Sequence, residues 1–294
     1  MDLNLMRSLV AVAEAGAITE AAARLGLTQP ALTRRIQQLE AELGAPLLER
    51  SRRGATLTAL GERVVREART LIQRFDALKS EVASQGGEAA GTVRIGGGAT
   101  AVSFLLPDLI ADYQRAHPGV RFHVKEASSS EVARDVADGR LELGLVTEPV
   151  RAAGLDIDRL FADDIVLVAA ADSAFAQRSS VEVAELDGRS FVGFEVGSAI
   201  RQIVDAALRE AGVEVQVVME LRSIPAILRM VATTGNLAFV SRLGVLGQDL
   251  VRALEVEGLS ITRPLGLARR KGLVLTPPAG PFAEQILRRF AAPP

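Results

Sequence analysis

The chain has 294 residues, 48% of them hydrophobic, which is enough for about two domains with sizeable cores. It has no cysteine, which excludes disulfides, thiolate nucleophiles and Cys-ligated metals. With no Trp and one Tyr, stacking on single-stranded bases is not expected as the main binding mode. The formal net charge of −2 rules out global basicity, so any nucleic-acid surface must be local.

Taken in order, Leu5, Leu9 and Val12 mark a first helix, which Gly16 ends. Ile18 and Thr19 begin a second, with Thr19 as its cap, and Ala21, Ala22 and Ala23 keep it narrow. Leu25-Gly26-Leu27 turns the chain into a third. Thr28 caps that helix and Pro30 fits its first turn, where a missing N–H costs nothing. Leu32, Ile36, Leu39 and Leu43 form one apolar stripe. The opposite face carries Pro30, Ala31, Arg34, Gln37 and Gln38. Arg can bond guanine, and Gln adenine, bidentately in the major groove. An ordinary amphipathic helix shows a similar polar face, and the neighbours decide between the two. Two short helices around a Gly-containing turn are the helix-turn-helix plan.

Leu47-Leu48 and Ala55-Thr56-Leu57 read as two short strands, with Ser51-Arg52-Arg53-Gly54 at the hairpin tip. A basic hairpin here is a wing, suited to phosphates or a narrow minor groove. Arg34, Arg35, Arg50, Arg52 and Arg53 stand against Glu40, Glu42 and Glu49 between positions 28 and 56. From 92 onward, 22 Lys or Arg face 25 Asp or Glu. A basic head on a mildly acidic body fits DNA binding.

Residues 2 to 62, including AITEAAARLGLTQPALTRRIQQLEAELGAPLLERSRRGATLTALGE, resemble the DNA-binding head of LysR-type transcriptional regulators. Leu48 stands where Phe is frequent in that family, and Thr33 where Ser is. The resemblance implies DNA contacts from Thr28, Gln29, Pro30, Ala31, Thr33, Arg34 and Gln38, with Arg50, Arg52 and Arg53 in the wing.

From Thr58 a long helix is expected, with Leu60, Val64, Ala68, Leu71, Phe75, Leu78 and Val82 near heptad spacing. One helix cannot bury this stripe alone, so pairing with a second copy is expected. The resemblance agrees, implying dimers that pair into tetramers. Ser84 to Gly91 reads as a flexible hinge. The expected organisation is a winged helix-turn-helix at 1–58, a linker helix and hinge at 59–91, and an effector domain at 92–294. The first lobe of that domain takes 92–163 and 268–294, and the second takes 164–267.

In the body, strands alternate with helices, which predicts parallel sheet with ligand chemistry at strand C-terminal ends. TVRIG, VRFHVKEA and LELGLV are strands of one lobe; DIVLVAA, SFVGF, VQVVMEL and NLAFVS belong to the other. Pro264 to Arg269 returns to the first lobe, and Phe282 to Phe290 closes it as a helix. This resembles the two-lobed, periplasmic-binding-protein-like α/β effector domain of the same family. Hydroxyl-rich turns meet helix N-termini at Gly96 to Ser103, Ser128 to Ser130, Gly197-Ser198 and Ser223-Ile224, which suits an anion. Thr147 ends a strand at the crossover. The resemblance places Thr100, Ser103, Ser129 and Thr147 in the pocket. Ala101, Ser198, Ile224, Asn236 and Phe239 complete the expected set. Thr234 to Ser241 departs from the Gly-x-Gly pattern of many relatives, so Asn236 and Phe239 reshape the cleft.

GGGATA at 96–101 also matches a loose dinucleotide fingerprint, with Glu126 at the end of the next strand. That alternative makes the body oxidoreductase-like, but its helix is expected to start late, near Ser103 or Leu105. His117 and His123, the only histidines, read as structural or solvated, and no Gly-x-Ser-x-Gly or His-Glu-x-x-His is present. A DNA-binding protein with no ligand switch is a further alternative. The favoured expectation is a ligand-responsive transcription factor rather than an enzyme, without cofactor or metal. Its partners would be duplex promoter DNA, an anionic or carboxylate effector, and RNA polymerase. The opening MDLNLMRSLV lacks the pattern of a signal peptide, and Ile165 to Ala171 is too short to span a bilayer. A cytoplasmic protein is expected.

Overall fold

The structure, a computed structural model, describes residues 2–51, 54–83, 91–150 and 153–291. The head begins with α1 (Leu3–Ala15). The Asp2 carboxylate caps it by accepting from the Asn4 N–H at 2.9 Å, and Gly16 ends it at φ 70°. In α2 (Ile18–Arg24) the cap position is Ala17, with no side-chain cap. Thr19, expected to cap this helix, lies inside its first turn. Ala21 and Ala22 are buried, so α3 (Gln29–Leu43) crosses closely. Thr28 caps α3 by accepting from the Ala31 N–H at 3.4 Å. Leu32, Ile36 and Leu39 enter the head core beside Leu5, Leu9 and Leu47, whereas Leu43 is exposed.

The wing strands β1 (Leu48–Ser51) and β2 (Gly54–Leu57) pair antiparallel. One Glu40 oxygen accepts from the Leu47 N–H at 2.8 Å and the Leu48 N–H at 3.2 Å, tying the last turns of α3 to the wing. α4 (Ala59–Ala83) follows, about 38 Å long for its 25 residues. Thr58 caps it, accepting from the Gly61 N–H at 2.9 Å and donating to the Pro46 carbonyl at 3.0 Å. A Cβ at Gly61 would lie 2.1 Å from the Leu47 carbonyl oxygen, so only glycine fits this crossing. Along the predicted seam Ala68 is buried, but Leu60, Leu71, Phe75, Leu78 and Val82 are exposed. Positions 84–90 of the expected hinge lie outside the described residues.

The body opens with β3 (Gly91–Gly97), α5 (Leu106–Ala116), β4 (Val120–Glu126), α6 (Ser129–Ala137) and β5 (Leu143–Thr147). β6 (Leu155–Ala170) crosses to the second lobe, which holds β7 (Ser180–Glu182), β8 (Ser190–Phe194), α7 (Ala199–Glu210), β9 (Gln216–Leu221), α8 (Ile224–Thr234), β10 (Ala238–Ser241) and β11 (Val251–Glu257). β12 (Ile261–Arg270) returns, and α9 (Ala279–Phe290) packs on the first lobe.

The sheet is mixed rather than parallel. β3 runs parallel to β4 and β5, but β12 is antiparallel to both β5 and β6. The crossover strands pair along their length, with Asp163 opposite Arg263. Each spans both lobes. On β6, Leu160 belongs to the first-lobe core and Ile165 to the second. On β12, Ile261 belongs to the second, and Leu265 and Leu267 to the first. The chain has therefore returned to the first lobe before position 268, the boundary expected from sequence. α4 also rests on this lobe, where Gln73 donates to the Gly139 carbonyl at 3.0 Å and Arg270 donates to Thr70 at 3.1 Å.

Candidate nucleic-acid interface and ligand cleft

The outer face of α3 is exposed at Thr28, Gln29, Pro30, Arg34 and Gln38, and half-buried at Ala31 and Thr33. Arg34 makes no hydrogen bond or ion pair among the described residues. Gln38 donates to Glu42 at 3.3 Å. The face therefore presents a small N-terminal end followed by the free guanidinium of Arg34, a profile that suits the floor of a major groove. Arg50 lies on β1 opposite Ala55. Arg52 and Arg53 lie outside the described residues.

Between the lobes lies a cleft of about 540 Å³. From the first lobe, Thr100, Ser129 and Thr147 line it; from the second, Ser198 does. Ser128 caps α6 by accepting from the Glu131 N–H, and Ser198 caps α7 by accepting from the Arg201 N–H, both at 3.3 Å. Two helix N-termini thus flank the cleft with free N–H groups. The Ser129 hydroxyl accepts from the Thr147 N–H at 3.0 Å, so its own proton is free to donate.

Arg263 forms the floor, a residue that sequence reasoning missed. It is 5% exposed. Its Nε donates to Asp163 at 2.8 Å and its Nη2 to the Thr100 hydroxyl at 2.6 Å. Ser241, from the second lobe, donates to the other Asp163 oxygen at 2.8 Å. The buried ion pair on the crossover strands is thereby bonded to both lobes. Nη1 of Arg263 has no hydrogen-bond partner among the described residues. The rim adds Glu126, Glu131, Glu195 and Arg222. Glu131 pairs with Lys125 at 2.6 Å, and Glu195 pairs with Arg222 at 2.5 Å. The Glu195 hydrogen bond holds the Arg222 guanidinium above its ordinary pKa.

Five expected effector residues do not line this cleft. Ala101 is buried against the first-lobe core, and Ser103 is exposed elsewhere. The helix after Gly98 starts at once, at Ala99, and not near Ser103 or Leu105. It then passes through a π-helical turn, Ala101–Leu105. A turn closed by i→i+5 bonds advances less per residue, so a three-residue step from Thr100 no longer returns to its face. Ile224 is fully buried in the second-lobe core, and Phe239 stacks on Phe191 there at 5.6 Å. Asn236 donates to Thr234 at 3.0 Å.

Gly96 and Gly97 of GGGATA do not behave as a nucleotide cradle. A Cβ at Gly96 would lie 2.6 Å from Leu141, and one at Gly97 would lie 2.9 Å from Ala101. Both make room for the protein's own side chains. Among the described residues no group of His, Cys, Asp or Glu could hold a metal, and no helix is long and apolar enough to cross a membrane. His117 packs on Tyr113, with ring centroids 4.5 Å apart.

Residues 3–62 match the model of the bacterial regulatory helix-turn-helix protein, lysR family, and residues 86–291 match that of the LysR substrate binding domain. The HTH-type transcriptional regulator YbhD of Escherichia coli (strain K12) is 29% identical, over 97% of this chain and 91% of that one. A full-length OxyR variant from Pseudomonas aeruginosa superimposes with a TM-score of 0.72 at 22% identity, covering 98% of this chain and 94% of that chain. The regulatory domain of Synechocystis PCC6803 CcmR, in complex with 2-PG, gives a TM-score of 0.63 at 21% identity, covering 68% of this chain and 97% of that one. A winged head, a linker helix and a hinged two-lobed body are thus joined in one matched order, and the chain belongs to the LysR family of ligand-responsive, DNA-binding transcriptional regulators.

Proposed function

We propose that this regulator responds to a small carboxylate held in the inter-lobe cleft, and that the carboxylate meets the free Nη1 of Arg263. That unmet donor, at the base of a cleft flanked by two helix N-termini, is the observation that carries the reading. Thr100, Ser129, Thr147 and Ser198 supply the surrounding hydroxyls. Glu126 and Glu131 at the rim limit the ligand's negative charge, favouring a monocarboxylate or zwitterion over a polyanion. The 2-PG complex of the CcmR domain is consistent with a small-molecule ligand in this fold.

The ligand bonds to a network shared by both lobes, so it stabilises one lobe arrangement over another. Differential affinity of this kind is what shifts a population. On the DNA side, Thr28, Gln29, Pro30, Ala31, Thr33, Arg34 and Gln38 read promoter DNA in the cytoplasm, with Arg50, Arg52 and Arg53 on the backbone. Linker helices pair through the exposed stripe of α4, and two heads then meet two half-sites.

Thermal melting of the full chain against a panel of small carboxylates, amines and neutral sugars tests the cleft. A carboxylate at 100 times its dissociation constant adds about 2.7 kcal/mol. Thr147→Val weakens that response. A panel in which only amines or neutral molecules stabilise the protein overturns the carboxylate assignment.

A further inference from the structure

A second cavity, of about 560 Å³, lies between the head, α4 and the outer face of the first lobe. That volume is within the usual range for small-molecule pockets. From the sheet, Arg94 and His123 are register partners on adjacent parallel strands. Lys125, two residues further on, shares their face. α4 contributes Arg69, the loop after α6 contributes Arg140, and α1 contributes Arg7. The acids lining the cavity are Glu14 and Asp135.

Part of this charge is already matched. Arg7 pairs with Asp76, and Asp135 takes Lys125 at 2.6 Å and Arg140 at 2.8 Å. Three groups are matched only weakly or make no side-chain hydrogen bond. Arg69 is only 7% exposed, yet its Nε has no hydrogen-bond partner. Its other nitrogens reach Glu14 at 3.4 Å and the Asp138 carbonyl at 3.5 Å, both at the long limit. Arg94 and His123 make no side-chain hydrogen bond or ion pair among the described residues. Burial, and then the charge of Arg140, lower the Arg69 pKa, against the opposing pull of Glu14 and Asp138. A buried unmet donor costs free energy that an oxyanion would recover.

We propose that this cavity is a second ligand site, taking a small phosphate-bearing anion between Arg69, Arg94 and His123. Donors from α4 on one side and the sheet on the other suit a phosphate, whose three free oxygens point in different directions. The bound anion ties the linker helix to the first lobe, so it acts on the head independently of the inter-lobe cleft.

Isothermal titration of the full chain with inorganic pyrophosphate tests this, in buffer free of other multivalent anions. Saturable binding is expected. Arg94→Met and His123→Leu, made separately, each weaken it roughly tenfold, the equivalent of one charge-assisted hydrogen bond. Thr147→Val, in the other cleft, leaves it unchanged, so failure here is distinct from failure of the carboxylate reading. Amide exchange in α1 and α4 slows when pyrophosphate is bound. The proposal is overturned by absence of saturable binding, by full affinity in both site variants, or by loss of binding in Thr147→Val. Succinate binding as tightly as pyrophosphate overturns the phosphate assignment.

Discussion

Arg34 on the head and Arg263 in the body are both placed toward a ligand surface, in opposite ways. Arg34 is exposed on one continuous helix and has no partner among the described residues. Arg263 is buried, with Asp163 and Thr100 as partners, on a strand that crosses between lobes. The first can be lost without disturbing the fold, because nothing rests on it. The second is part of the joint on which both lobes hang. A DNA-reading surface can therefore vary its specificity cheaply, whereas the floor of the cleft couples ligand recognition to stability.

The sharpest way to break this contrast is Arg263→Met. It leaves the Asp163 carboxylate buried without its counterion and should cost about 3–5 kcal/mol in urea unfolding of the body. Adding Asp163→Asn should recover much of that loss, because the unpaired charge is gone. A cost near zero for the single variant would make the two arginines alike. Next in size is Leu78→Glu on the exposed stripe of α4. Each buried leucine in a helix pair contributes about 1.5–3 kcal/mol, so sedimentation should shift toward monomer. An unchanged mass would place the interface elsewhere.

Arg34→Ala should cost about 1–3 kcal/mol at the specific DNA site and relax base preference there. The melting temperature should stay at the parent value. A fall in melting temperature would show that Arg34 supports the fold after all. The smallest effect is expected from Thr28→Ala. Removal of the α3 cap should lower head stability by about 1 kcal/mol, read by chemical denaturation of the full chain.

The head was legible because its signals are local. The Thr28 cap, Pro30, the Leu32-Ile36-Leu39 stripe and Gly44 lie within one helix and its ends. The cleft was legible where a turn announces a helix start, as at Ser129 and Ser198, and where a strand ends at the crossover, as at Thr147. Arg263 was hidden because its partner Asp163 lies 100 positions away, and only strand register brings the two together. The first half of β6 was also missed. Its acids Asp156 and Asp158 stand outside the expected strand DIVLVAA, yet they lie opposite Arg269 and Leu267 on β12, and Asp158 pairs with Arg269 at 3.0 Å. Ser103 failed for another reason: a π-helical turn changes the phase of a helix whose sequence looks ordinary.

The two hydrogen bonds that Glu40 accepts from Leu47 and Leu48 join the reading helix to the wing within each head. Each head is then a gauge of fixed width, and the distance between its groove contact and its backbone contact is set at folding. A ligand signal arriving from the body has no internal joint there to bend. The only length left for it to alter is the gap between one head and the next. Operators with lengthened or shortened spacers between half-sites are therefore the natural ruler for the effector's action, and changes within a half-site should be read identically with and without it.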